Sequence, residues 1–419
     1  MPLRIEDYAL IGDCESAALV GRDGSIDWLC WPRFDSDACF AALLGTDEHG
    51  RWRIAPRDPA TRVSRRYRPN TLILETRFEC GEGAVTLVDF MPIGVEHSSV
   101  VRLVVGVRGR VAMGSELVLR FGHGAIVPWV TRLADGTLRA IAGPDMAVMR
   151  TPVNLVGRDL RTFGEFTVSA GETVPFVLTY RPSHQEPPEP VDPGLALETT
   201  QRFWTDWTTK CHPPDHCSEA VVRSLITLKA LTYWPTGGLV AAPTTSLPEQ
   251  LGGNRNWDYR FCWLRDATLT LLALMDAGFV DEAQAWREWL LRAVAGSPDQ
   301  VQIMYGIAGE RRLTEIELPW LPGYEGSAPV RIGNAACSQL QLDVYGEVMD
   351  ALHQARCKGL AASESGWALQ EAMLSHLEGI WRDPDEGIWE VRQMPSRCDS
   401  IASCKAQPDS LAARPLHLA

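Results

Sequence analysis

Three short segments set aromatic rings directly beside arginines and carboxylates. In Gly253–Asp266 (GNRNWDYRFCWLRD), Trp257, Tyr259, Phe261 and Trp263 alternate with Arg255, Asp258, Arg260, Arg265 and Asp266. Such alternation suits a polyhydroxylated ring as ligand, because its CH faces pack on aromatics while its hydroxyls need carboxylate or guanidinium partners. An aromatic-rich loop whose ion pairs merely precede a helix explains the same pattern. In Trp320–Asn334 (WLPGYEGSAPVRIGN), Gly and Pro shape a loop that carries Tyr324, Glu325 and Arg331. A solvated loop glutamate accounts for Glu325 as readily as a catalytic one. In Asp383–Arg392 (DPDEGIWEVR), Glu390 follows Trp389. A carboxyl against an indole can be desolvated, which raises its pKa and keeps it protonated for general acid work. A surface Trp–Glu pair does none of this.

Other chemistries have less support. There is no GxSxG elbow, no P-loop and no GxGxxG. Eleven cysteines form no CxxC pair. Cys211 and Cys217 flank His212 and His216, but Pro213-Pro214 stiffens that segment, and a polar turn before a helix explains it. Reduced, mostly buried thiols are expected. Fifteen Trp residues exceed what a core of this size needs, and Trp faces are platforms for ring-shaped ligands.

The elements that must position these segments change character along the chain. To about Arg181, short runs rich in Val, Leu, Thr and Phe recur between glycine turns: Thr71–Cys80, Ala84–Phe90, Val100–Val107, Glu116–Phe121 and Phe176–Tyr180. Phe78–Val85 reads as a hairpin, and the whole region as a β-sandwich. Ser183–Pro193 holds four prolines and three acidic residues and reads as a semi-rigid linker. Beyond it the apolar period becomes about 3.6. A bridging helix is expected over Leu195–Trp207. A helix capped by Ser218 should run to Tyr233, with Ala220, Val221, Leu225, Leu228 and Leu231 on one stripe. Further helices are expected at about 266–277, 280–295, 334–355 and 362–381. Helical hairpins with long loops suggest a toroid, yet only about six helices follow the linker, where six hairpins need twelve. Past Arg392, apolar residues follow neither period, and Pro395, Pro408 and Pro415 interrupt any helix. The expectation is a truncated or frame-shifted chain, whose coding region continues the helical sequence in another frame.

The 419 residues carry 40 Lys+Arg against 53 Asp+Glu, a formal charge of −13. That balance argues against a phosphate-backbone partner. The longest apolar stretch, Leu269–Val280, is broken by Asp276 and is too short to span a bilayer. The start, MPLRIEDYAL, lacks the basic and apolar regions of a secretory signal, so a cytoplasmic location is expected.

At its three aromatic–charged segments and at its opening, Ile5–Ser36 (IEDYALIGDCESAALVGRDGSIDWLCWPRFDS), the chain resembles glycoside hydrolase family 15 over roughly residues 1–392. That is the family of glucoamylases, glucodextranases and bacterial and archaeal trehalases, and the opening is similar to the trehalase-like branch. The resemblance implies an α+β multidomain fold, an N-terminal β-sandwich followed by an (α/α)6-type helical barrel that is incomplete here. The expected domains are 1–182 (sandwich), 183–210 (linker and bridging helix), 211–392 (first half of the catalytic barrel) and 393–419 (aberrant tail). Trp263-Leu264-Arg265-Asp266 is similar to the W-x-R-D segment, whose Arg and Asp hold glucose hydroxyls at the cleavage subsite. Ile388-Trp389-Glu390 is similar to the L-W-E segment, which makes Glu390 the general acid.

Trp257, Asp258, Tyr324, Arg331, Asn334 and Trp389 are further expected substrate contacts. Asp27, Trp28 and Arg33 could reach the pocket, though turn-building and packing explain them equally well. The implied chemistry is inversion by two carboxyls about 6.5–9.5 Å apart. The family places its base in later hairpins, beyond where the resemblance stops. No metal or organic cofactor is expected. The expected partner is a small carbohydrate, trehalose or a malto-oligosaccharide, with no nucleic acid and no membrane; homo-oligomerisation stays open. The leading expectation is an inverting α-glucosidase of trehalase type. Alternatives are a glucoamylase-type exo-hydrolase, an inactive fragment with unburied helix faces, and, with least support, a phosphorylase.

Overall fold

The structure, a computed structural model, describes residues 2–211, 218–361 and 364–387. These form two compact units. The first comprises 1–233, 242–259 and 317–332; the second comprises 234–241, 260–316 and the residues from 333 onward.

The first unit is built on two antiparallel sheets. One orders its strands Tyr8–Gly12, Ala17–Gly21, Ser25–Cys30, Arg51–Pro56, Arg110–Val118, Arg161–Ser169, Leu155–Arg158, with Ala38–Phe40 paired to Ser25–Cys30. The other runs Trp129–Arg132, Leu138–Ala142, Asp145–Arg150, Thr173–Pro182, Ser99–Arg108, Gly83–Phe90, Leu74–Cys80, Arg62–Tyr67. Alternate residues of both sheets, among them Ile26, Leu29, Trp52, Ile54, Val85, Leu87, Val104 and Phe176, meet in one core. The expected hairpin is present: Cys80 pairs with Gly83 across the turn, and Gly81 supplies its positive φ of 53°. The strand expected at Glu116–Phe121 instead ends at Val118, and Phe121 makes an isolated bridge to Ile126. Arg62–Tyr67 closes one edge with the exposed, charged alternation that discourages further pairing.

Both outer faces of the sandwich are covered in part. Asp192 caps helix α1 (Pro193–Thr208) by accepting from the N–H groups of Gly194 and Leu195, and Pro193 stands in its first turn. Ala196 of α1 packs against Ile73, Val88, Phe90, Val101, Leu103 and Val177. On the other sheet, Trp28 and Cys30 face a loop cluster containing Leu318, Leu321, Tyr324 and Val330. This explains why every residue of Ser25–Cys30 is buried, one face serving the sandwich and the other the loop. Helix α2 (Ser218–Ala230) completes the first unit. Its stripe differs from expectation: Leu225, Ile226 and Ala230 are buried, whereas Ala220 is exposed.

The second unit is helical: α3 (Leu264–Asp276), α4 (Val280–Ala293), α5 (Asp343–Cys357) and α6 (Glu364–Ile380). In α3, Leu264, Ala267, Thr268, Leu271, Leu274 and Met275 form the apolar stripe. α5 matches it with Val344, Tyr345, Val348, Ala351, Leu352 and Ala355. The helix expected from 334 starts only at Asp343. Asn334 accepts from the Ala336 N–H and sets up a 3-10 turn at Ala335–Ser338, and Gln339 then leaves the helical region with ψ 144°.

Eight of the fifteen Trp side chains, at 28, 31, 52, 204, 207, 263, 286 and 289, lie buried, so packing claims most of the apparent excess. Among the described residues, Cys14, Cys30, Cys39 and Cys262 are buried thiols and Cys357 is an exposed one. Among the described residues no helix is long and apolar enough to cross a membrane.

Candidate active site

The expected site residues fall into two sets, one in each unit. In the first unit, the loops 242–259 and 317–332 are stitched together. The Arg331 guanidinium lies 4.6 Å from the centre of the Trp257 ring. Its Nη1 donates to the carbonyls of Asn254 (3.0 Å) and Asn256 (3.4 Å), and its Nη2 to Glu317 at 3.3 Å. The Asn256 side-chain amide donates in turn to the carbonyls of Gly253, Ser327 and Pro329. Asp258 is fully buried and pairs through its backbone with Thr245. Tyr324 is buried; its hydroxyl donates to the Leu3 carbonyl at 3.1 Å, and burial pushes its pKa up. Glu325 is exposed in a left-handed conformation (φ 49°).

The N-terminal candidates are similarly engaged. Asp27 is buried and accepts from the Tyr8 hydroxyl (2.7 Å) and the Ser25 hydroxyl (3.0 Å). Burial raises its pKa, against the pull of those bonds. The Trp28 indole donates to the Pro243 carbonyl at 2.8 Å. Arg33 forks onto Asp35 through two bonds of 2.9 and 2.7 Å and lies over the Tyr233 ring. Within the first unit these side chains do structural work.

In the second unit, Cys262–Trp263 pairs with Met304–Tyr305, and Trp263 leads directly into α3. Trp263 is only 3% exposed, so its ring supports the start of the helix rather than presenting an open face. That start carries Arg265, half-buried, and Asp266, which solvent reaches. Burial by the surrounding chain pushes the Asp266 carboxyl up, partly offset by the Arg265 charge.

Here the structure adds residues that sequence reasoning missed. Arg265 Nη1 lies 3.8 Å from Asp343 Oδ2 at the first turn of α5. Glu347, one turn further on, faces the same cluster. Burial raises both carboxyls; Arg265 opposes the rise at Asp343, and the Asp343 charge adds to it at Glu347. Asp385 lies behind Asp343 and accepts from the Leu342 N–H at 3.0 Å. The signal was the i,i+4 spacing of Asp343 and Glu347, which places both on one helix face.

One arginine among several partly desolvated carboxyls can bind hydroxyls of a neutral polyol, and the carboxyls keep their protons to higher pH than ordinary carboxylates do. Among the described residues no group of three His, Cys, Asp or Glu is arranged to hold a metal ion. Asn334 is buried and is used as a helix cap. Trp389 and Glu390 lie outside the described residues, as do His212, His216 and Cys217.

Comparison with known proteins places these residues in context. Residues 216–410 match the model of "Glycosyl hydrolases family 15", and residues 1–154 that of "Trehalase-like, N-terminal". The chain is 34% identical over 428 residues to a protein of Mycolicibacterium smegmatis named trehalase, covering 94% of this chain and 64% of that one. A trehalase of Mycobacterium tuberculosis is 33% identical, with 94% of this chain and 62% of the relative covered. The chain thus spans a little under two thirds of the length of these two relatives. It spans 68% of trehalase 1 of Sulfolobus acidocaldarius, at 33% identity over 94% of its own length.

A solved bacterial glucoamylase complexed with acarbose aligns with a TM-score of 0.56 at 12% identity, covering 92% of this chain and 68% of the other. That likeness shows the fold class, a sandwich followed by a helical region of (α/α)6 type. With a third of its residues shared with relatives along nearly its whole length, the chain belongs to glycosyl hydrolase family 15.

Proposed function

We propose that the chain is part of an inverting glycoside hydrolase that cleaves α-glucosidic bonds, with α,α-trehalose as substrate. The observation that carries this reading is the start of α3, where Arg265 and Asp266 stand with Asp343 and Glu347 in a cluster of partly desolvated carboxyls. The names of the curated relatives, all trehalases, favour trehalose over malto-oligosaccharides.

In this reading Arg265 and Asp266 grip hydroxyls of the glucosyl unit, the guanidinium donating and the carboxylate accepting. Glu390 supplies the proton to the glycosidic oxygen. A second carboxylate activates water on the opposite ring face. By the resemblance, that base is expected in later helical hairpins. Trp257, Asp258, Tyr324 and Arg331 then serve chiefly to hold the loops 242–259 and 317–332 together. The domain reading that accompanies this is sandwich 1–182, linker 183–210 and catalytic helices from 211.

The test is glucose release from trehalose and from maltotriose by the chain and by Glu390→Gln. Removing the acid should cost about 10²–10⁴-fold. Faster release from maltotriose would favour the glucoamylase-type reading. Equal rates from the two proteins would favour a second reading, in which the chain binds glucosides without turnover.

A further inference from the structure

Each sheet of the first unit has two outer edges, and three of these four strands are guarded. Arg62–Tyr67 alternates exposed, charged side chains. Tyr8–Gly12 packs against α2, and its Leu10 carbonyl accepts from the Tyr67 hydroxyl at 2.8 Å. Leu155–Arg158 ends in Gly157 and Arg158, and its Leu155 carbonyl accepts from the Arg132 guanidinium. Such devices keep an edge from pairing with another chain. The fourth edge, Trp129–Arg132, is apolar, and among the described residues no strand pairs along its outer side. Its one charge, Arg132, is turned back to the carbonyls of Leu155 and Gly136.

The register of this edge fits a copy of itself. At the hairpin turn Leu133 donates to the Thr137 carbonyl at 2.8 Å, and the ladder then pairs Arg132 with Leu138, Thr131 with Arg139 and Val130 with Ala140. Bonded and non-bonded pairs alternate along an antiparallel ladder. Thr131 and Trp129 therefore bond inward, while Val130 and Arg132 turn their N–H and C=O groups outward. A two-fold axis through Thr131, normal to the sheet, sets Val130 of one copy against Arg132 of the other. Those two residues share a face and both present outward groups, so each pair can exchange both of its bonds with every side chain on its proper side.

The surface around the edge is large enough for such a contact. Ile126, Val127, Trp129 and Val130, with Val156 and Leu160 at the edge of the other sheet, range in exposure from 45% at Val127 to 78% at Trp129. Bonds from Arg132 to Leu155 and from Arg120 to the Leu160 carbonyl bring the two edges to one side of the sandwich. Together the six side chains offer roughly 700 Å², near the ~800 Å² that each partner contributes to a standard interface. A single foreign strand would fill the Trp129–Arg132 edge but leave Val156 and Leu160 bare; a second sandwich covers both. We propose that this side is a self-association surface, on which two copies of the chain join edge to edge through Trp129–Arg132. This proposal is independent of the glucoside reading.

The experiment is sedimentation velocity on the 419-residue chain over a wide range of concentration, wild type against Val130→Pro. Proline at this position removes an N–H that the sheet itself does not use, so the strand keeps its pairing with Leu138–Ala142 while its outer side is blocked. The wild type should pass from monomer to dimer as concentration rises, and Val130→Pro should stay monomeric over the same range. Because Val130→Pro could fail to fold, Thr131→Cys supplies a second reading. On the two-fold axis the two substituted positions face each other as a non-bonded pair, with Cβ atoms about 4.5–5.5 Å apart, close enough for mild oxidation to link the copies. The wild type, with its exposed Cys357, sets the background for covalent dimer on denaturing gels. A wild type that is monomeric throughout, a Val130→Pro protein that dimerises as the wild type does, or Thr131→Cys that cross-links no more than the wild type overturns the proposal.

Discussion

The Arg331 guanidinium covers one face of Trp257 at 4.6 Å from the ring centre while donating to the backbone carbonyls of Asn254 and Asn256. One side chain thereby joins the loop 317–332 to the loop 242–259. Arg331→Ala removes charge-assisted bonds and a cation–π contact together, so it should destabilise the first unit by about 2–3 kcal/mol. Urea unfolding followed by tryptophan fluorescence measures this. Arg331→Lys should recover little, since an ammonium cannot reproduce the planar fork.

A second pair anchors the sandwich. Arg102 and Asp89 are both fully buried and 2.8 Å apart, and Arg102 also donates to the carbonyls of Trp52 and Gly24. Burial raises the Asp89 pKa even against the adjacent guanidinium. Asp89→Asn should cost about 3–5 kcal/mol, because it strands a buried positive charge. The midpoint of urea unfolding should fall accordingly. Replacing both residues with apolar ones should cost much less than the single change.

Stability of the second unit should depend on pH through Asp266, Asp343 and Glu347. Burial raises all three folded-state pKa values above their unfolded ones. The folded state therefore binds more protons, and their contribution to stability falls as pH rises from the ordinary carboxylate range through the raised folded values. In thermal melts across pH 4–8 these groups should make the melting temperature fall as pH rises. Asp343→Asn combined with Glu347→Gln should flatten it. A slope unchanged in the double variant would contradict the assignment.

Much of the fold was legible because long-range burial wrote itself into short periods. The hairpin at Phe78–Val85 announced itself through its glycines, whereas the cap of α1 at Asp192 and Pro193 was hidden in a proline-rich stretch that reads as linker. The start of α5 was not legible. Asn334 caps a 3-10 turn, and the sequence that follows is apolar enough to read as continuous helix. That error put Asp343 and Glu347 in mid-helix: their shared face was readable from the i,i+4 spacing, but their place at the first turn of α5 was not. The aromatic-rich segments were only half informative. Trp263 is packed beneath the start of α3 and Trp257 is matched to Arg331, roles that composition cannot separate from ligand contact. Arg265 and Asp266 stood out because Trp263-Leu264-Arg265-Asp266 is similar to the W-x-R-D segment of the family.

Asp266 offers a test in which stability and binding should part. Solvent reaches its carboxyl, and its pKa is raised by burial. Asp266→Asn should leave the melting temperature unchanged or slightly higher. Trehalose binding should weaken by about 1.5–3 kcal/mol, the range for a hydrogen bond to a charged group. Calorimetric melting and titration on the same sample measure both.

The glucoside reading stands or falls on the Arg265 guanidinium. Isothermal titration of the 419-residue chain with trehalose, wild type against Arg265→Ala, tests it most directly. The prediction is saturable binding by the wild type and an affinity about 10- to 100-fold lower in the variant. Equal affinity in the two proteins would contradict it.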